Sequence, residues 1–371
     1  MISLIVFIII LSILILVHEW GHFITARKCG VKVEQFALGF GPKLWSRVHD
    51  GTEFCLCAIP LGGYVKMAGD DRAKCSGNPD EFFSKSVGAR ALIVLMGPVV
   101  NLVLAYVCFW LMCFIGYVDM DLSAKKVEPR LGQILSGSPA EKAGLQAGDK
   151  IIAVDGKPVA HWPDMQDHIM NSTAPQLTVT FQRDGRAMAR SIVPQEHKQK
   201  DIFGRVHRAR RIGVGPARIK DSNEAVVVRY GFWESFPRAA KELAGITVKT
   251  YTALYEMLIG LRSPKEAMGI VGMFFVIKFA LSIGFSFVLH IVGVISASLA
   301  IFNLLPVIPL DGGHLFLLAL EKIRGKALSM RAEQFIARLG FALIVALALF
   351  VFYVDFERIG LVDKIIHIFK T

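Results

Sequence analysis

The chain has 371 residues, 53% of them hydrophobic and 20% charged, with a mean hydropathy of +0.49. So apolar a composition excludes intrinsic disorder and argues against a water-soluble enzyme, leaving a polytopic membrane protein with one small extra domain. The net charge of +11 suits nucleic acid or anionic phospholipid; no nucleic-acid motif is recognisable, so we expect a phospholipid bilayer and no nucleic acid as partner.

In chain order, Ile2 to Val17 is apolar except for Ser3 and Ser12, and the run continues through His18-Glu19-Trp20-Gly21-His22 to Ala26 before meeting Arg27 and Lys28. A signal peptide carries its positive charge ahead of the apolar run, not after it. The expectation is an uncleaved transmembrane helix with its N-terminus outside. The loop from Arg27 to Arg90 is basic, and within it Glu53 to Ile59, Pro60-Leu61-Gly62-Gly63 and Tyr64 to Met67 suggest a hairpin. Ala91 to Val118 carries no charge and forms a second span. Leu122 to about Pro194 reads as a soluble domain, and His197 to Lys220 is strongly basic. Phe232 to Leu261 is amphipathic at helical spacing, as a helix lying on a membrane surface would be.

Met268 to Leu310 is too long for one ordinary span. Either two spans pack here, or a lead-in segment precedes one span at about Gly284 to Leu305. Leu339 to Val354 is a short last span, with Arg338 placed to snorkel. The expected organisation is a membrane core at 1–121, a soluble domain at 122–196, a basic segment with an interfacial helix at 197–267, and a second membrane core at 268–371. All six cysteines lie before Leu122, which suits an extracytoplasmic middle segment and a reducing compartment for the first basic loop.

The chemistry concentrates in His18-Glu19-Trp20-Gly21-His22. Residues four apart share one helix face, so His18 and His22 can bind one metal ion, with Glu19 beside it as a general base. In a helix otherwise built of Ile and Leu, such polar groups are costly and by default functional. A catalytic zinc needs a third protein ligand at the same depth. Asp311, in Leu310-Asp311-Gly312-Gly313-His314, meets that need if the 268–310 stretch holds one span. Asn303, ahead of Pro306 and Pro309, can bind substrate backbone or an oxyanion, or else an adjacent helix. Gly97-Pro98-Val99-Val100-Asn101 reads as a packing and kink element, and His290 as a packing residue.

His18-Glu19-Trp20-Gly21-His22, Ile59 to Met67, Gly97-Pro98 with Asn101, and Asn303, Pro306 and Leu310-Asp311-Gly312 together resemble the bacterial site-2 proteases, of the regulator of sigma-E protease type. The resemblance covers nearly the whole chain. It implies zinc held by His18, His22 and Asp311, Glu19 as catalytic base, and Asn303 helping to hold substrate. It implies an inner-membrane metalloprotease that cleaves transmembrane segments of other proteins, such as anti-sigma factors or signal-peptide remnants. Leu131 to Pro194 is similar to a bacterial PDZ domain, carried by Gly137 to Ala140, Ala143-Gly144-Leu145, Gly148-Asp149, Ile151 and Asp155-Gly156, and the family places it in the periplasm. Many relatives carry two such domains where this chain has room for one, and Pro309 sits one residue later than the usual second proline. The expected fold class is thus a polytopic α-helical membrane protein with four transmembrane helices, a membrane-associated β-hairpin and an inserted α+β PDZ domain. Two rivals stand beside it: an inactive PDZ-bearing scaffold, which should lack Glu19 or a ligand, and a metal transporter, which should spread polar residues over several spans.

Overall fold

The structure, a computed structural model, describes residues 2–72, 75–119, 127–200, 206–217 and 226–358. Its helices are α1 (Ile2–Lys28), α2 (Val87–Ile115), α3 (Pro139–Lys142), α4 (Trp162–Asn171), α5 (Ser235–Leu258), α6 (Ile270–Ile283), α7 (Phe285–Asn303), α8 (Asp311–Arg324) and α9 (Met330–Arg358). Its strands are β1 (Val33–His49), β2 (Thr52–Met67), β3 (Tyr117–Val118), β4 (Leu131–Ile134), β5 (Lys150–Val154), β6 (Lys157–Pro158), β7 (Leu177–Arg183), β8 (Arg186–Ile192), β9 (Gln195–Lys200), β10 (Val206–Arg211), β11 (Val214–Pro216) and β12 (Val227–Val228). They form two units, one of Met1–Ile115 with Tyr230–Glu357 and the other built on Gly116–Arg229.

A hydrocarbon core of about 30 Å takes about 20 helical residues. Four described helices, α1, α2, α7 and α9, are long and apolar enough for that. With 14 residues, α6 reaches only about 21 Å at 1.5 Å per residue. It ends at Gly284, whose φ of 139° an L side chain rarely adopts, and α7 starts on the next residue. The apolar stretch from Met268 is therefore a lead-in helix followed by one span. The last helix differs from expectation. It begins at Met330, not near Leu339, because Ser329 caps it, its Oγ accepting the Ala332 N–H at 3.3 Å. Hydropathy marks where a helix is apolar, whereas cap chemistry sets where it starts, and Arg338 consequently lies inside the helix.

The hairpin also differs. Glu53 to Ile59 and Tyr64 to Met67 are not its two arms but parts of one strand, β2, and the partner arm is β1. The reversal is at Asp50-Gly51, both with positive φ (50° and 76°), as a two-residue hairpin turn requires. Segment Gln35–Leu38 pairs with Glu53–Leu56 on one side and with Gly63–Lys66 on the other. Gly63 to Met67 is thereby an outer edge, and among the described residues no further strand covers it. One face of this sheet closes over the end of α1: Phe23, Ala26, Val33, Phe36 and Ile93 are buried together, with Phe54 and Val65 against them.

Close helix approaches hold the membrane unit together. A Cβ on Gly21 would run into the Met96 carbonyl, so α1 meets α2 backbone to backbone, and a Cβ on Gly293 would strike the Phe109 ring, seating α7 on α2. Helix α5 buries Ser235 and Ala239; its Phe236 carbonyl accepts from Tyr106 Oη, and the Phe232 carbonyl just ahead of it accepts from Trp110 Nε1, both at 3.3 Å. Val248, Tyr251, Tyr255 and Leu258 stay exposed, so the helix presents apolar side chains outward from its second half as well as burying Ser235 and Ala239.

In the second unit β6-β5-β7-β8 form a sheet. Leu177, Val179 and Phe181 alternate inward along β7 and meet Ile151, Met165, Ile169 and Ile192 in one core. The basic run from His197 extends this unit where it is described: β9 pairs with β10, β11 pairs with β4, and Ile212 enters the core. Its residues 201–205 and 218–220 lie outside the described residues.

Candidate active site

The site lies in the membrane unit, with His18 and His22 about 15 and 9 Å along α1 from Lys28 at the helical rise. His18 and His22 are both buried on one face of α1, with ring planes nearly perpendicular (86°). Asp311 opens α8, where the helix N-terminus favours a carboxylate. It is delivered there by a tight fold of Leu304 to Leu310 over Gly312 and Gly313: a Cβ on either glycine would collide with the backbone of Leu304, Leu305, Val307 or Ile308.

Three donor atoms converge. His18 Nε2 is 3.1 Å from Asp311 Oδ2, His22 Nε2 is 3.5 Å from Asp311 Oδ1, and the two Nε2 atoms are 3.3 Å apart. Ligands about 2.0–2.1 Å from a tetrahedral zinc stand roughly 3.3–3.4 Å from one another, so the triangle has the size that ion requires. Asp311 Oδ2 is buried and accepts no hydrogen bond, so its approach to His18 lacks hydrogen-bond alignment, as befits two groups aimed at a common ion. Gly97 makes the room, because a Cβ there would sit on His22 Nε2 and His18 Cε1. The residues present therefore fit the metal.

Glu19, partly buried, turns into a cavity of about 600 Å³ with His18, His22, Asp311, Asn303 and His314. Val65 lines the same cavity, and Gly63 lies close enough that a Cβ would stand 3.3 Å from Glu19 Cγ. The outer edge of β2 thus forms one wall beside the carboxylate. Asn303, the last residue of α7, lines the same cavity.

A family model described as Peptidase family M50 matches residues 6–347. The chain belongs to peptidase family M50. It is a metalloprotease with membrane character, and its metal is zinc. A protein of Clostridium acetobutylicum named as a zinc metalloprotease is 33% identical over 349 residues, covering 94% of this chain and 96% of its own length. A Rhizobium meliloti protein similarly named is 31% identical, with 94% and 95% covered. The regulator of sigma-E protease of Escherichia coli is 29% identical over 446 residues, covering 95% of this chain and 98% of the relative.

Several participants were not singled out from sequence. The Ile93 carbonyl stands 2.9 Å from His22 Nδ1 and the Asn101 amide 3.4 Å from His18 Nδ1, so the Gly97-Pro98-Val99-Val100-Asn101 segment, read as a kink, faces the two imidazoles. Pro98 has no N–H for the Val94 carbonyl, which loosens the helix here, but the burial of Asn101 beside the His18 ring is a tertiary fact that the local pattern does not carry. His314, which lines the cavity, carried no such signal either. His290 lies between the rings of Phe109 and Phe287, at 5.7 and 6.1 Å, away from the cavity.

Proposed function

We propose that the protein hydrolyses peptide bonds of membrane-spanning substrates inside the bilayer, with His18, His22 and Asp311 as zinc ligands, Glu19 as general base and Asn303 as a substrate-holding residue. The observation that carries this is the triangle of donor atoms with Glu19 at its side, within a cavity of a unit built from membrane-length helices. Zinc, when bound, supplies a Lewis acid that polarises a carbonyl and makes water more acidic. Glu19 accepts the proton of the attacking water and passes it to the leaving amine. A helical substrate hides its carbonyls in its own hydrogen bonds and must unwind to be cut. The edge at Gly63 to Lys66, which no further strand covers among the described residues, offers main-chain partners for the unwound segment by strand addition, and Asn303 offers one donor group and one acceptor beside it.

The remaining assignments follow the same reading. The Leu131–Pro194 segment is taken as a PDZ domain that governs access, placed in the periplasm, with the N-terminus outside and the zinc near the cytoplasmic face of a bacterial inner membrane. Basic residues Arg27 and Lys28 in the last turn of α1 support that orientation through the positive-inside tendency. The regulatory name of the Escherichia coli relative favours regulated cleavage of single-span proteins such as anti-sigma factors or signal-peptide remnants. An inactive scaffold is disfavoured because Glu19 and all three donor residues are in place.

Reconstitution in lipid with single-span candidate substrates, wild type against Glu19→Gln, tests the proposal. The variant keeps size and packing, and its cleavage rate should fall at least about 100-fold with zinc retained. Near wild-type cleavage would remove Glu19 from the reaction.

A further inference from the structure

Beyond the donor triangle, Asn101 carries a buried polar group that packing alone does not explain. It is 0% exposed, and its Nδ2 lies 3.4 Å from His18 Nδ1, the ring nitrogen turned away from Asp311. Its Oδ1 is buried without a hydrogen-bond partner. Its backbone is held independently, the Ser296 hydroxyl donating to the Asn101 carbonyl at 2.8 Å.

His22 shows what a ligating imidazole needs. Its Nδ1 faces the Ile93 carbonyl at 2.9 Å. A carbonyl only accepts, so this ring carries its proton on Nδ1 and keeps a lone pair on Nε2. His18 needs the same tautomer to offer Nε2, and its Nδ1–H then needs an acceptor. The amide of Asn101 is the polar group at that nitrogen. Presented through Oδ1, it accepts the Nδ1–H, and the otherwise orphaned oxygen gains its partner.

We propose that Asn101 is a positioning residue that fixes the tautomer and ring plane of His18 for zinc. This rests on the assignment of His18, His22 and Asp311 as ligands. Hydrogen-bond partners behind metal-bound histidines typically carry about 10–100-fold in metal affinity.

The test uses the full chain in detergent, with zinc affinity from chelator competition, the absorption spectrum of the cobalt-substituted protein, and thermal unfolding of each variant. Asn101→Ala and Asn101→Leu should bind zinc about 10–100-fold more weakly and alter the cobalt spectrum. Asn101→Asp keeps an acceptor of the same size and should bind within about threefold of wild type, or more tightly. If Asn101→Leu does not fold, Asn101→Ala carries the comparison. Wild-type affinity in the Ala or Leu variant overturns the proposal, and so does an Asp variant as weak as Ala, since packing alone would then explain the loss. His18→Ala separates the two levels. If it retains zinc, the ligand assignment itself fails; if it loses zinc while Asn101→Ala does not, only the role of Asn101 fails.

Discussion

At the scale of single residues, the site depends on what is missing as much as on what is present. Gly97 has no side chain, and the space where a Cβ would stand is filled by His22 Nε2 and His18 Cε1. Both rings must shift to admit one methyl group, and both present the nitrogens that form the donor triangle. Gly97→Ala is otherwise favourable to a helix by about 0.5–1 kcal/mol. It should therefore keep or raise thermal stability while weakening zinc binding at least about tenfold, measured by chelator competition. Unchanged affinity would show that the rings can be repositioned without cost. The histidine pair was legible in the sequence because its spacing of four is the helical period and its surroundings are apolar. Asp311 was legible only jointly with the topology, since its depth depends on how many spans precede it. Asn101 was not, because a lone Asn after Gly-Pro carries the same pattern whether it packs a helix or backs a ligand; only the contact to His18 distinguishes them.

At the scale of elements, α8 must hold Asp311 against α1, and one ion pair ties it to α2. Arg90 forks onto Glu321 with contacts of 2.6 and 3.2 Å, its side chain 7% exposed, and it also stands over the Phe83 ring. Removing one partner leaves the other charge buried and uncompensated, whereas replacing both with apolar groups is often nearly neutral. Glu321→Gln should lower stability by about 3 kcal/mol, with weaker zinc retention as α8 loosens. The double replacement Arg90→Met with Glu321→Met should recover most of the loss in thermal midpoint. Additive single effects would mean that the pair is not what anchors α8. In the second unit, Asp149 joins β5 to β7: it is 1% exposed and both its oxygens lie 2.7 Å from the Arg183 guanidinium. Burial pushes its carboxyl up, but Arg183 and the Gln146 N–H outweigh that and hold it below the usual carboxylate value. A depressed folded pKa means that the unfolded chain takes up the proton first on acidification. The stabilisation is thus complete above the unfolded value of about 3.9 and is lost as pH falls through the folded one. Protection factors of β5 and β7 amides should decline between about pH 5 and pH 3, and Asp149→Asn should flatten that dependence. The hairpin is present, but its reversal lies at Asp50-Gly51 and not at Pro60-Leu61-Gly62-Gly63. Asp50-Gly51 is the stronger two-residue turn signal, yet Pro60-Leu61-Gly62-Gly63 drew the reversal because the sheet doubles back on β1, a tertiary pairing that no local pattern encodes.

At the scale of the whole molecule, the polypeptide leaves and re-enters the membrane unit at one place. Tyr117–Val118 pairs antiparallel with Val227–Val228, the Asp119 N–H donates to the Val226 carbonyl at 2.9 Å, and the Tyr230 N–H donates to the Cys113 carbonyl at 3.1 Å. Two strands already in hairpin register need only a tight turn between them, so residues 120–225 can be excised and Asp119 joined to Val226 through an Asn-Gly turn. Every residue of the proposed zinc site, and all the residues lining its cavity, lie outside the excised segment. The shortened chain should therefore bind about one zinc per molecule and still cut a short membrane-spanning peptide. What it should lose is discrimination. If the excised unit governs access, wild type should cut full-length substrates with bulky outer domains more slowly than the short peptide, and the shortened chain should cut the two at similar rates. Parallel assays of both substrates, with zinc content measured on the same preparation, separate the possibilities. Zinc retained with both cleavages abolished would assign the unit a direct part in presenting substrate. Zinc lost would mean that the membrane unit needs it to fold. Retained discrimination would move the selective step into the cavity between β2, α7 and α8.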